Sequence, residues 1–253
     1  MVVTYKTIKN TKQTDKPNED AVLCDKDKNI YILLDGVSRD NENGKYPFPS
    51  PAVIAVNILI ENIYAELKNT DMNNSDILDS IKHAIQIGND KLKIFNENNK
   101  ISFPAGAVGI VAVIHREKLY YGYIGDCYGR LIYANTVQIF TKCQTELISK
   151  YKKQFTTYEI REIICNNIDH PYSYGVLNGD KRAMNFVKRG EINLSEVEQI
   201  ILASDGMENY LSICSLELLK EKSASDLVDE AVAINGNAQD DRTIIKIERE
   251  KHK

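Results

Sequence analysis

Seven apolar, β-branched runs of strand length punctuate the chain, at 21–24, 30–34, 108–114, 119–124, 130–133, 199–203 and 243–247. The segments with helical spacing do not alternate with them one by one. Residues 51–67 follow Ser50 as N-cap, with Pro51 in the first turn, and 76–96 come directly after, so two helices sit together behind the first pair of strands. A third helix is predicted at 157–167, opened by Thr156 and Glu159 at capping-box spacing, and a fourth at 226–234, opened by Ser223 and Asp226 likewise. Strands in blocks with helices in blocks predict an α+β chain of hairpin-built antiparallel sheets covered by helices, rather than a parallel doubly wound sheet.

The chain has 253 residues, 43% of them hydrophobic, enough to bury one large core without disulfides or metals, and no internal repeat or low-complexity linker divides it. A single domain over 1–253 is expected. Net charge is -4, and no lysine or arginine block makes an electrostatic footprint for nucleic acid. Cys24, Cys127, Cys143, Cys165 and Cys214 are odd in number, scattered and never in a C-x-x-C pair, which argues against a disulfide framework and for a reducing compartment. The amino terminus lacks the apolar stretch of a signal peptide, and the run 105–114 is too short to span a bilayer. The expectation is a soluble cytoplasmic monomer with no membrane or nucleic-acid partner.

The acids fall at strand ends. Asp20 precedes the run AVLC and Asp35 follows YILL, so a hairpin would bring both to the same open end. The carboxy-terminal part repeats the pattern, because Asp205 closes IILAS while Asp240 and Asp241 stand just before TIIKI. Asp126 lies in the tight connection GDCYG between two further strands. Carboxylates held close together repel, and the cluster is tolerable only with protons or cations to neutralise it. Oxygen-only ligands without a histidine pair point to magnesium, manganese or calcium. Gly36 and Gly206, directly after Asp35 and Asp205, would let the backbone turn tightly, and the Gly36 carbonyl is a candidate ligand. Two such ions can activate a water for in-line attack on phosphorus, which suits a chain with no G-x-S-x-G elbow and no cysteine-based phosphate loop. Against this stands the plain reading, in which each Asp-Gly is an ordinary turn, Asp126 a hairpin tip and Asp240-Asp241 a helix-to-strand loop.

At these same residues the chain resembles the metal-dependent protein phosphatases of the protein phosphatase 2C (PPM) type, as a divergent, bacterial-like member. PNEDAVLCDKDKNIYILLDGVS resembles the family's opening pair of motifs, AGAVGIVAVI with LYYGYIGDCYGRLIY its central hairpin, QIILASDGMENYLS its S-D-G motif, and QDDRTIIKI its terminal strand. The resemblance implies a four-layer α-β-β-α sandwich of two antiparallel sheets flanked by helices. It implies two Mn2+ or Mg2+ ions held chiefly by Asp35, the Gly36 carbonyl, Asp205 and Asp240. Glu19 and Asp20 would bind directly or through metal-bound water, and Asp126 with Asp205 would match a third site. The implied reaction is hydrolysis of phosphoserine or phosphothreonine in proteins, counter to a serine/threonine kinase, by metal-bound water and without a side-chain nucleophile.

Three departures stand out. The arginine that relatives carry four residues before the glutamate is Asp15 here, with Lys12, Lys16 and Arg39 as other nearby cations. DGVSRDNENGK lacks the histidine of D-G-H-G, and Gly106-Ala107-Val108 replaces the usual G-T or G-S-T. Residues 141–175 match the family's variable flap in position, with lysines at 150, 152 and 153. The missing arginine leaves open a non-catalytic module that binds phosphorylated partners, and the same metal centre would also serve a small-metabolite phosphatase.

Overall fold

The computed structural model describes residues 1–11, 15–40, 45–99, 103–236 and 240–249. In chain order these form β1 (Val2–Ile8), β2 (Asp20–Asp25), β3 (Ile30–Gly36), α1 (Pro51–Asn69), α2 (Ile77–Asn99), β4 (Ala107–His115), β5 (Lys118–Ile124), β6 (Tyr128–Ile132), β7 (Val137–Ile139), α3 (Glu146–Tyr151), β8 (Lys188–Asn193), β9 (Gln199–Ala203), α4 (Glu208–Leu211), α5 (Leu216–Glu221), α6 (Ala224–Asn235) and β10 (Arg242–Glu248). One five-stranded sheet runs β2-β3-β4-β5-β8 and the other β1-β10-β9-β6-β7, every neighbouring pair antiparallel. The expected α+β sandwich of two antiparallel sheets with flanking helices is what forms.

Three apolar layers hold it, and strand periodicity explains the division. Side chains alternate across a strand, so in β3 Tyr31 and Leu33 enter the core between the sheets while Ile30, Ile32 and Leu34 face α1 and α2. On the other sheet Ile200, Leu202, Ile245 and Ile247 point inward, and Ile201, Ala203 and Ile244 pack under α4, α5 and α6. Strands buried on both faces read as unbroken apolar runs, which is why 30–34, 108–114 and 199–203 stood out. Ser50 caps α1 by accepting from the Val53 N–H, and Ser223 and Asp226 form a reciprocal capping box on α6.

Several elements differ from the sequence reading. β1, β7 and β8 lie at sheet edges, where half the groups face water and the apolar signal fades; β8 reads KRGEIN. The helix predicted at 157–167 is α-helical at no more than its first turn and becomes a π-helix over Glu159–Ile164. The Thr156–Glu159 capping contacts nonetheless form. Asp126 does not sit at a hairpin tip, because β5 and β6 belong to different sheets and the GDCYG segment crosses between them.

The two chain ends are stapled by one carboxylate. Asp241, 2% exposed, accepts from the Asn10 N–H and amide at 2.7 and 3.0 Å and from the Glu19 N–H at 2.8 Å. The buried Lys16 ammonium lies 3.6 Å from it. Removing one member of a buried charged network leaves the other uncompensated. Asp241→Ala is expected to lower the urea-unfolding free energy, measured in EDTA, by about 3 kcal/mol; a loss below about 1 kcal/mol would show that the staple contributes no more than a surface pair.

Candidate metal centre

The strand register dictates where the acids go. Asp20 and Asp35 are direct cross-strand partners of β2 and β3. On the other sheet Ile244 of β10 faces Ala203 of β9, and the Ser204 N–H donates to the Thr243 carbonyl at 3.0 Å, so Asp205 and Asp240 leave their strands at the same end. Asp126 arrives from the crossover between the sheets. Ser204 also joins the two sheets directly, its hydroxyl donating to Asp20 Oδ2 at 2.8 Å.

Close backbone approach explains the glycines better than turn conformation does. A Cβ on Gly206 would stand 2.0 Å from the Asp241 carbonyl oxygen, and one on Gly36 would stand 2.8 Å from the Glu19 carbonyl oxygen. Neither has a positive φ. Each glycine lets a metal-side aspartate lie against the neighbouring chain segment.

The electrostatics show how closely the carboxyls gather. Burial, then Asp20, Asp205, Asp126 and Asp240, push Asp35 well above the usual carboxyl range. Asp205 is raised well above it too, by burial and by Asp126, Asp240 and Asp20, offset in part by a hydrogen bond with Asp35. Burial raises Asp20 to about 7, although hydrogen bonds from Thr243 and Ser204 oppose the shift. Asp126 and Asp240 move upward for the same first reason. Asp35, Asp126, Asp205 and Asp240 keep part of their surface in water, as a cleft requires.

Whether these residues suit divalent ions turns on the donors they leave open. Asp205 Oδ1 is buried without a hydrogen-bond partner among the described residues, a costly condition that a cation would relieve. Among the described residues no three acidic, histidine or cysteine side chains already stand at ion-holding separations. What the fold supplies is a mutually repelling carboxyl set with an unused oxygen, the donor chemistry of a hard dication. Asp20, Asp35, Asp205 and Asp240 are placed to contribute, and Asp126 sits beside them with its Oδ2 accepting from Thr145 Oγ1 at 2.7 Å.

Glu19 has another occupation. Its Oε1 accepts from the Tyr46 and Ser50 hydroxyls, both at 2.5 Å, and its Oε2 from Ser38 at 2.6 Å with the Lys16 ammonium at 3.2 Å. Those partners use the four acceptor sites of a carboxylate, so the side chain ties Ser38, Tyr46 and Ser50 to the start of β2. Sequence reasoning named Lys16 without assigning it. Its Nζ is 3.7 Å from Asp240 Oδ1 as well, and although burial alone would lower its proton affinity, Glu19, Asp241 and Asp240 outweigh that and keep it charged. Asp15, at the position where relatives carry arginine, accepts from the Tyr46 N–H at 3.0 Å. Lys12 lies outside the described residues.

No protein-family model and no curated protein matches the chain. Solved structures do. The Mycobacterium tuberculosis serine/threonine phosphatase PstP/Ppp is similar over 99% of this chain and 100% of its own, with TM-score 0.71 and 19% identity. The fold is that of the PPM-type serine/threonine phosphatases. A bacterial serine phosphatase superposes over 100% of this chain and 99% of its own, at TM-score 0.75 and 17% identity. The catalytic domain of PstP in complex with two manganese ions matches over 96% of each chain, at TM-score 0.69 and 18% identity. Among the described residues no helix of this PPM-like fold is long and apolar enough to cross a membrane.

The raised carboxyls fix the sign of a pH effect. A carboxyl whose proton is held more tightly folded than unfolded favours the folded state at low pH, and that advantage is lost as pH rises from its unfolded to its folded value. For Asp20 the window is about 4 to about 7. In EDTA the melting temperature is expected to fall across that window, and saturating Mn2+ to abolish the fall. A metal-free protein whose stability rises across it would contradict the cluster.

Proposed function

We propose that the chain is a metal-dependent phosphoric monoester hydrolase acting on phosphoserine or phosphothreonine in proteins, in opposition to a serine/threonine kinase. The observation that carries this reading is the convergence of five raised carboxyls, from both sheets and the crossover between them, around an Asp205 oxygen that has no partner among the described residues. The fold it shares with serine/threonine phosphatases, one of them in complex with two manganese ions, supports it.

Two ions, Mn2+ or Mg2+, would supply an activated water and neutralise charge on the phosphoryl group; Asp35, the Gly36 carbonyl, Asp205, Asp240 and Asp20 would hold them, and Asp126 with Asp205 would serve a third. The chain's own part is preorganisation. Ser204 and Thr243 fix the Asp20 carboxyl from the opposite sheet, Thr145 fixes Asp126, and Lys16 supplies a buried positive charge against Asp240. Cys127 is 1% exposed, and burial together with Asp35, Asp126, Asp20 and Asp205 pushes its thiol far upward. A thiol that keeps its proton is no nucleophile, so attack by water is the route this site favours. The segment 141–175, with α3 and the π-helix, takes the place of a flap.

Phosphate release from p-nitrophenyl phosphate and a phosphothreonine peptide tests the proposal. Release is expected to require Mn2+ or Mg2+, to stop in EDTA, and to fall by about a hundredfold or more in Asp205→Ala. No release from either substrate by folded, metal-loaded protein would instead support a binding module.

A further inference from the structure

Close to the Asp35-Gly36 strand end two arginines, Arg39 and Arg161, meet around one narrow cleft, and among the described residues the acid at ion-pair distance from them is the exposed Asp40. Val37 and Ser38 continue directly from the Asp35-Gly36 strand end and lead to Arg39, which lines a narrow cleft with Val37, Phe103, Arg161 and Tyr174. The Arg39 guanidinium gives one N–H to the Pro104 carbonyl, but its Nε is buried with no partner among the described residues. Burial, and next the charge of Arg161, lower its proton affinity to about 10, against Tyr46, Glu19 and Asp40, which raise it. Arg161 comes from the π-helix, donates to the Ser38 carbonyl at 3.3 Å and lies over the Phe103 ring at 4.9 Å. Among the described residues its ion-pair partner is Asp40, 3.6 Å away with a 69% exposed side chain, a screened contact of small worth. The cleft runs on, past Arg161, Pro104 and Cys165, into a cavity of about 300 Å³. There the other cations are already paired, Lys93 with Glu97 at 3.6 Å and Arg182 with Asp180 at 2.6 Å.

The logic that asks for cations among the carboxyls asks for an anion here. Two adjacent guanidiniums, one with a buried unused donor, present the planar fork that suits a carboxylate or a phosphate. Arg39 is four residues from Asp35, so the pair lies within about 14 Å of the metal side, the span of about four residues of extended peptide. We propose that Arg39 and Arg161 form a secondary anion site that selects phosphoprotein segments carrying a further carboxylate or phosphate within about four residues of the ester being hydrolysed. This deepens the phosphatase reading and rests on it for the reaction, though not for the binding.

The test compares kcat/KM on phosphothreonine peptides whose flanks are neutral, glutamate-bearing or carry a second phosphoserine, for the wild type, Arg39→Gln, Arg161→Gln and Arg161→Lys, each checked by its melting temperature. Wild type is expected to prefer an anionic flank by about tenfold. The glutamine variants lose that preference while the neutral peptide is turned over as before, and Arg161→Lys keeps part of it. The glutamate and second-phosphate arms tell which anion is favoured. Equal turnover of all peptides by the wild type, or variants that slow every peptide by the same factor, would overturn the proposal. Should the wild type hydrolyse no phosphate ester, fluorescence anisotropy of unphosphorylated glutamate-rich and neutral peptides still decides it. Tighter binding of the acidic peptide, lost in the glutamine variants, supports the site, and equal binding rejects it.

Discussion

The structure turns on electrostatic repulsion that the fold itself creates. Two antiparallel sheets bring strand ends together, and aspartates gather there: Asp20 and Asp35 from one sheet, Asp205 and Asp240 from the other, and Asp126 from the crossover between them. Burial and mutual charge drive these groups toward holding protons, a condition that costs stability at neutral pH and that divalent cations would reverse. Much of the surrounding structure can be understood as holding this unfavourable arrangement in place. The apolar layers on both faces of each sheet fix the register, and register alone sets Asp20 opposite Asp35.

Around the cluster, a set of further contacts separates the acids that tie loops and chain ends from those that face one another. Asp241 and Asp240 are neighbours in sequence but do different work, the first buried as a staple for Asn10 and Glu19, the second half-exposed beside the Lys16 ammonium. Glu19 and Asp20 divide in the same way, Glu19 spent on Tyr46, Ser50, Ser38 and Lys16 and Asp20 facing the other sheet. Lys16 lies where the two sets touch, within 3.2 to 3.7 Å of Glu19, Asp241 and Asp240.

How much of this could be read from the sequence follows from what each residue's position requires. Strands buried on both faces announced themselves, and with them the hairpin that pairs Asp20 with Asp35. The edge strands β1, β7 and β8 did not, because an edge tolerates polar side chains on half its positions. The conversion of 159–164 to a π-helix left no trace in spacing, since a capping box describes how a helix starts and not how it continues. Asp20, Asp35, Asp126, Asp205 and Asp240 were found because they abut apolar runs. The different use of Glu19 was hidden, because it depends on Ser38, Tyr46 and Ser50, which lie 19 to 31 residues away. Arg39 was visible as a charge, but its meeting with Arg161 depends on 121 residues of intervening chain, more than any local pattern can convey.

The central claim is that the acids at the open ends of the two sheets hold divalent cations, and anomalous diffraction at the manganese edge from crystals grown with saturating Mn2+ tests it most directly. The account predicts two peaks in the cleft between the sheets, in contact with Asp35 and Asp205. Absence of manganese there under those conditions, or manganese bound instead through Glu19, would contradict it.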